Sequence, residues 1–171
     1  YSHQDMQWLT RLQILLKPFI RENQIKVWAD PYIQVGDRWE RKIDEALNRT
    51  KIAVLLVSPN FLASDFIADI ELPAILEAGN SGRAILFCIP ISTVQNANAL
   101  KRLLVYQWAR DVKKPLGLIQ NRESRNTALV EIVDILVAAF PPVLPQAAPE
   151  VETGFTLGKE SHTPKRSTER M

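Results

Sequence analysis

An open α/β sheet with parallel strands is the fold class this sequence predicts. Two short runs, Ile52-Ala53-Val54-Leu55-Leu56-Val57 and Ala84-Ile85-Leu86-Phe87-Cys88-Ile89, are apolar without alternation, as in strands buried on both faces. The segments between and after them carry apolar residues at helical spacing. Parallel neighbours need such crossovers, because a tight hairpin can join only antiparallel strands.

The elements follow in order. A first helix is expected from Asp5 to Glu22, with Leu9, Leu12, Leu16, Phe19 and Ile20 on one face. Pro18 should kink it or end it early, since proline brings no amide and crowds the preceding turn. Ile25-Lys26-Val27-Trp28 reads as a short strand ending at Asp30-Pro31, followed by a loop from Tyr32 to Gly36. Asp37 and Glu40 form a capping-box pattern, and Trp39, Ile43 and Leu47 recur as the buried stripe of a second helix. Ser58-Pro59-Asn60 ends the 52–57 strand. A third helix is expected from Asp65 to Ala78, capped by Ser64. Asn80-Ser81-Gly82 is a turn before the 84–89 strand, and Leu104 to Trp108 reads as a short edge strand. The last helix carries Leu129, Ile132, Val133, Leu136 and Phe140 on one face.

The first helix has no strand before it, and Tyr1-Ser2-His3 looks like the end of one. In the flavodoxin-like order 2-1-3-4-5 that strand is central. The expectation is therefore a domain over 1–140 with its first strand truncated, not fully stable alone. Residues 141–171 read as a disordered tail or linker, with Pro141, Pro142, Pro145, Pro149 and Pro164 and no helical or strand period.

Composition narrows the function. The chain has 171 residues, 46% of them hydrophobic and 23% charged, enough for one domain with a real core. A net charge of +2 gives no field for gripping phosphate backbones, so nucleic acid is not an expected partner. No apolar run reaches the roughly 18 residues of a membrane span, so no membrane partner is expected. Cys88 is the single cysteine, and His3 and His162 lie at opposite ends, so neither a disulfide scaffold nor a metal site is expected. A free thiol without a signal peptide points to the cytoplasm. Glycines at 36, 79, 82 and 117 match neither the Rossmann nor the P-loop pattern.

One carboxylate stands out. Glu71 has Ile67, Ala68, Ala74 and Ile75 at the neighbouring helical positions, all apolar. Such a setting strips hydration from the carboxylate and raises its pKa, which is how enzymes hold a working acid. Pro73 offers no amide to the carbonyl of Asp69, so the helix is weakened beside Glu71. The plainer alternative has Glu71 at the helix boundary, reaching water along its stem. His3 likewise reads as an exposed loop residue, Trp28 and Trp39 as core, and Cys88 as inert packing.

Four motifs in order resemble a TIR (Toll/interleukin-1 receptor) domain of the bacterial type. Tyr1-Ser2-His3-Gln4-Asp5 is similar to the tail of the family's first-strand motif. Val27-Trp28-Ala29-Asp30 through Ile33, Gly36, Asp37 and Trp39 resembles the second strand and the loop called BB. Val54 to Phe61 is similar to the third-strand motif, and Ser64-Asp65-Phe66-Ile67 with Glu71-Leu72-Pro73 to the helix box.

The resemblance implies a flavodoxin-like fold and one of two functions. Many TIR domains cleave NAD⁺ at the nicotinamide–ribose bond, giving nicotinamide and ADP-ribose or a cyclic form, in defence or signalling. Others are adaptors that only assemble with TIR partners. Glu71 matches the catalytic glutamate. Ser2, His3, Trp28, Asp30, Ile33, Gly36, Trp39 and Phe66 are the matching candidates for binding substrate. NAD⁺ is then a substrate and no cofactor is implied; the 30–39 loop would pack on a second TIR domain in a homo-oligomer. The plant-type box reads S-x-W-C-x-x-E, whereas here one more residue precedes Glu71, and Asp69 is the acid at the neighbouring register.

Overall fold

The computed structural model describes residues 1–27, 45, 47, 49–95 and 98–140. Three parallel strands form the sheet: β1 (Ile52–Val57), β2 (Ile85–Pro90) and β3 (Gln107–Trp108), in the order β1-β2-β3. Ile52 pairs with Ile85 and Val57 with Pro90 along β1 and β2, and Cys88 pairs with Trp108 at the edge. The last three strands of a 2-1-3-4-5 sheet would lie side by side in this way.

Side chains alternate across the strands and meet helices on both faces. On one face Leu56, Phe87 and Ile89 pack with helix α1 (Met6–Arg21) and the last helix, α5 (Arg122–Ala138). On the other, Leu55, Val57, Leu86 and Cys88 pack against the chain that links β1 to β2 and β2 to β3. That chain holds α2 (Pro59–Leu62), a π turn (Ile67–Glu71), α3 (Leu72–Asn80) and α4 (Asn98–Leu103). Phe61, Leu72 and Leu103 supply its buried contacts. Burial on both faces is why β1 and β2 are apolar throughout.

The stripe Leu9, Leu12 and Leu16 of α1 is buried, and so are Leu129, Ile132, Val133 and Leu136 of α5. Asn121 caps α5, its side-chain oxygen accepting from the Ser124 amide at 3.0 Å. Pro18 does not end α1 early: the helix runs on to Arg21. Ile14 and Pro18 both lie on the exposed side, where water reaches the carbonyl that Pro18 leaves without a donor. The helix stops at Asn23, which takes a positive φ of 56°. The Gln24 amide reaches back to Phe19 O and the Asn23 amide to Ile20 O, the paired bonds of a Schellman stop.

Other expectations change. The strand expected over 25–28 is not formed in its described part: residues 25–27 carry no ladder, and only Ile25 is buried. A strand needs a neighbour's amides and carbonyls, and no described residue supplies them there. The edge strand is only Gln107–Trp108, with Leu104 and Val105 exposed in the turn before it. Of the second helix, Glu45, Leu47 and Arg49 are helical and Leu47 is buried. Its cap and the rest of its stripe lie outside the described residues, as do 141–171.

Gly117 marks a close approach. Its amide donates to Ile91 O at 2.9 Å, and a Cβ there would lie 2.7 Å from that same oxygen. Among the described residues, no helix is long and apolar enough to cross a membrane.

Candidate functional site

Glu71 sits at the end of the π turn, immediately before α3. The turn has a local cause. Ser64 caps the segment weakly, its hydroxyl accepting from the Ile67 amide at 3.4 Å, and the Ala68 amide bonds Ser64 O at 2.9 Å. Pro73 then withholds the amide that would continue the α-helical ladder. The Leu72 amide instead reaches Ile67 O, five residues back. The helix expected from Asp65 to Ala78 forms as one helical run over residues 65–80, with the π turn set inside it at 67–71. A π turn takes up one residue more than an α turn. The extra residue ahead of Glu71 is absorbed here, within the segment where the sequence departs from the S-x-W-C-x-x-E spacing.

The two acids of this segment differ in setting. Asp69 is exposed, whereas Glu71 is half-buried. Burial raises the Glu71 carboxyl above the ordinary glutamate value of 4.5, and among the side chains His3 pulls it part of the way back. The N-terminal segment and the π turn, far apart in sequence, therefore face each other electrostatically.

The candidates divide into two groups. Ser2 is buried and His3 is exposed, in a 3₁₀ turn (His3–Asp5) that leads into α1. The His3 ring stands edge-on to Tyr1 at 6.0 Å. Phe66 is half-buried at the entrance to the π turn. These three and Glu71 are described; Trp28, Asp30, Ile33, Gly36 and Trp39 lie outside the described residues. Cys88 is wholly buried, and burial pushes its thiol up to about 12. Its thiolate is therefore scarcely populated at neutral pH, consistent with inert packing.

Sequence reasoning missed a buried polar cluster beside this site. Asp5 occupies the N-cap position of α1, yet its side chain makes no cap bond. Its carboxylate turns toward the end of β1, where Ser58 Oγ donates at 2.6 Å and Asn60 Nδ2 at 3.3 Å. Ser58 Oγ also accepts from the Phe61 amide at 2.9 Å and so caps α2. Ser58-Pro59-Asn60, read as a strand stop, is thus both a stop and a clasp. A polar pair spanning 53 residues leaves no periodic signal; the one hint was an Asp at a helix start and a Ser at a strand end. Among the described residues, no group of three or more His, Cys, Asp and Glu side chains could hold a metal ion.

Known proteins bear on this geometry. A curated protein of Sinorhizobium fredii, described as the uncharacterized protein y4lF, is 40% identical over 91 residues. That match covers 53% of this chain and 28% of the relative, so the chain spans little more than a quarter of that protein. No solved structure matches the chain. A family model for the TIR domain matches residues 1–117, which take in the 3₁₀ turn, the π turn and all three strands. The chain belongs to the TIR domain family.

Proposed function

We propose that this TIR domain hydrolyses NAD⁺ at the nicotinamide–ribose bond, with Glu71 as its catalytic carboxylate. The observation that carries the reading is the setting of Glu71: half-buried, raised in pKa by burial, on a π turn, with His3 across from it. Structural glutamates on solvated helix faces show none of these, and perturbed acids concentrate where chemistry is done.

The chemistry suits a single carboxylate. The pyridinium nitrogen already carries the positive charge, so it leaves with the bonding electron pair as neutral nicotinamide and needs no proton. Positive charge grows on the ribose ring as an oxocarbenium-like state forms. An ionised Glu71 beside the ribose holds its hydroxyls and offsets that charge. Water then adds to the anomeric carbon and loses a proton, giving ADP-ribose; capture by an atom of the same molecule gives a cyclic product instead. Among the described residues, the substrate contacts of this proposal are His3, whose charge acts on that carboxylate, together with Ser2 and Phe66.

Assembly belongs to the same proposal. The loop over 30–39, with Trp28, Asp30, Ile33, Gly36 and Trp39, completes the site by packing on a second copy, so activity rises steeply with protein concentration. The test is NAD⁺ consumption by the assembled protein and by Glu71→Gln. Loss of turnover in a folded variant supports the reading. Absence of turnover in the wild type defeats it and leaves an adaptor that docks on other TIR domains.

A further inference from the structure

Asp5 is only 5% exposed, and its hydrogen-bond partners are two neutral side chains, Ser58 at 2.6 Å and Asn60 at 3.3 Å. A buried carboxylate held this way costs more desolvation than an apolar pair of the same size. Cohesion alone therefore gives no reason for it. What the cluster supplies is a fixed distance. The Asp5 amide donates to Ser2 O at 2.8 Å and closes the turn that carries His3. Ser58 hands the link to the Phe61 amide at 2.9 Å, at the start of the segment that leads to Glu71. One chain of hydrogen bonds thus joins the His3 turn to the start of α2, the element that precedes the π turn carrying Glu71.

We propose that Asp5 is a positioning residue: through Ser58 it locks the His3 turn to the end of β1 and sets the gap in which the ribose meets Glu71. The proposal rests on the hydrolase reading. Asp5 does not touch the reacting atoms; it acts by holding their neighbours in register, and a displacement of about 1 Å in such an arrangement costs on the order of a hundredfold in rate.

The experiment compares the full chain carrying Asp5→Ala, Asp5→Asn, Ser58→Ala and the double variant Asp5→Ala/Ser58→Ala. Steady-state NAD⁺ hydrolysis gives kcat and KM, and amide hydrogen exchange is followed over residues 1–12 and 122–138. Asp5→Ala and Ser58→Ala should each lower kcat by about tenfold or more with KM little changed. Their combination should be no worse than the more damaging of the two, because each already cuts the Asp5–Ser58 link. Asp5→Asn should keep most of the activity, since its amide oxygen still accepts from Ser58 and Asn60 can turn its own oxygen toward it. Exchange should quicken over 1–12 in Asp5→Ala and stay unchanged over 122–138.

A wild-type kcat in Asp5→Ala, an equal loss in Asp5→Asn, or additive losses in the double variant overturns the proposal. If Asp5→Ala does not fold, Ser58→Ala and Asp5→Asn make the same comparison. If the wild type consumes no NAD⁺, the hydrolase reading has failed and the proposed gap-setting role fails with it. Exchange then reports on the clasp by itself, and unchanged exchange over 1–12 shows that no lock exists.

Discussion

Ser58→Ala should destabilise the domain far more than an ordinary surface change. Ser58 is 1% exposed, and its hydroxyl makes two bonds at once: it donates to Asp5 at 2.6 Å and accepts from the Phe61 amide at 2.9 Å. Removing an N-cap hydroxyl costs about 1 kcal/mol. Taking a donor from a buried carboxylate costs about 1.5–3 kcal/mol more. The sum, about 2.5–4 kcal/mol, is a large share of the roughly 5–15 kcal/mol by which domains are stable. With a urea slope of about 2 kcal/mol per molar, the middle of the usual range for small domains, the midpoint should fall by about 1–2 M. Asn60→Ala should cost less, because its bond to the same carboxylate is longer, at 3.3 Å. The assay is urea unfolding followed by far-UV circular dichroism at pH 7. A midpoint for Ser58→Ala within error of the wild type, or a larger drop for Asn60→Ala, would refute the reasoning.

Two further outcomes follow from buried groups. Glu71 has a folded pKa above 4.5, so the folded state holds that proton more tightly than the unfolded chain. Stability then falls as pH rises from 4.5 through the raised value, and stays reduced above it. Glu71→Gln should therefore have a higher Tm than the wild type at pH 7, with the gap closing below pH 4.5; the reverse ordering at pH 7 contradicts the burial argument. The Cys88 thiol, pushed up to about 12 and fully buried, should resist a thiol reagent at pH 8 in the folded protein and react at once in denaturant.

Much of the scaffold can be read from the residues because it rests on burial. The runs 52–57 and 84–89 lie in β1 and β2 with a shift of at most one residue, since strands covered on both faces admit no polar alternation. Leu129, Ile132, Val133 and Leu136 all reach the core, because helical period follows directly from which face packs. The failures share another cause: they depend on partners distant in sequence. Ile25-Lys26-Val27 has strand-like composition, yet a strand exists only where a neighbour completes its ladder. Asp5 looks like a helix cap until Ser58 is brought beside it.

The candidate site was legible to different depths. Glu71 stands out because four apolar neighbours foretell desolvation, and burial does raise its pKa. Its register was open by one residue, because a π turn alters helical phase without altering composition. Pro73 hinted at a weak point beside Glu71, and the structure puts the π turn immediately before it. Asp5, Ser58 and Asn60 give no comparable local signal, for their meaning is a contact across 53 residues or more.

The most direct measurement is the pH profile of NAD⁺ cleavage by the assembled wild-type protein, with Glu71→Gln alongside. The account predicts release of nicotinamide that rises with pH through an acid limb centred above 4.5, the ordinary value for a glutamate. It predicts no release by the folded Glu71→Gln protein at any pH. Equal release by the two proteins would contradict it.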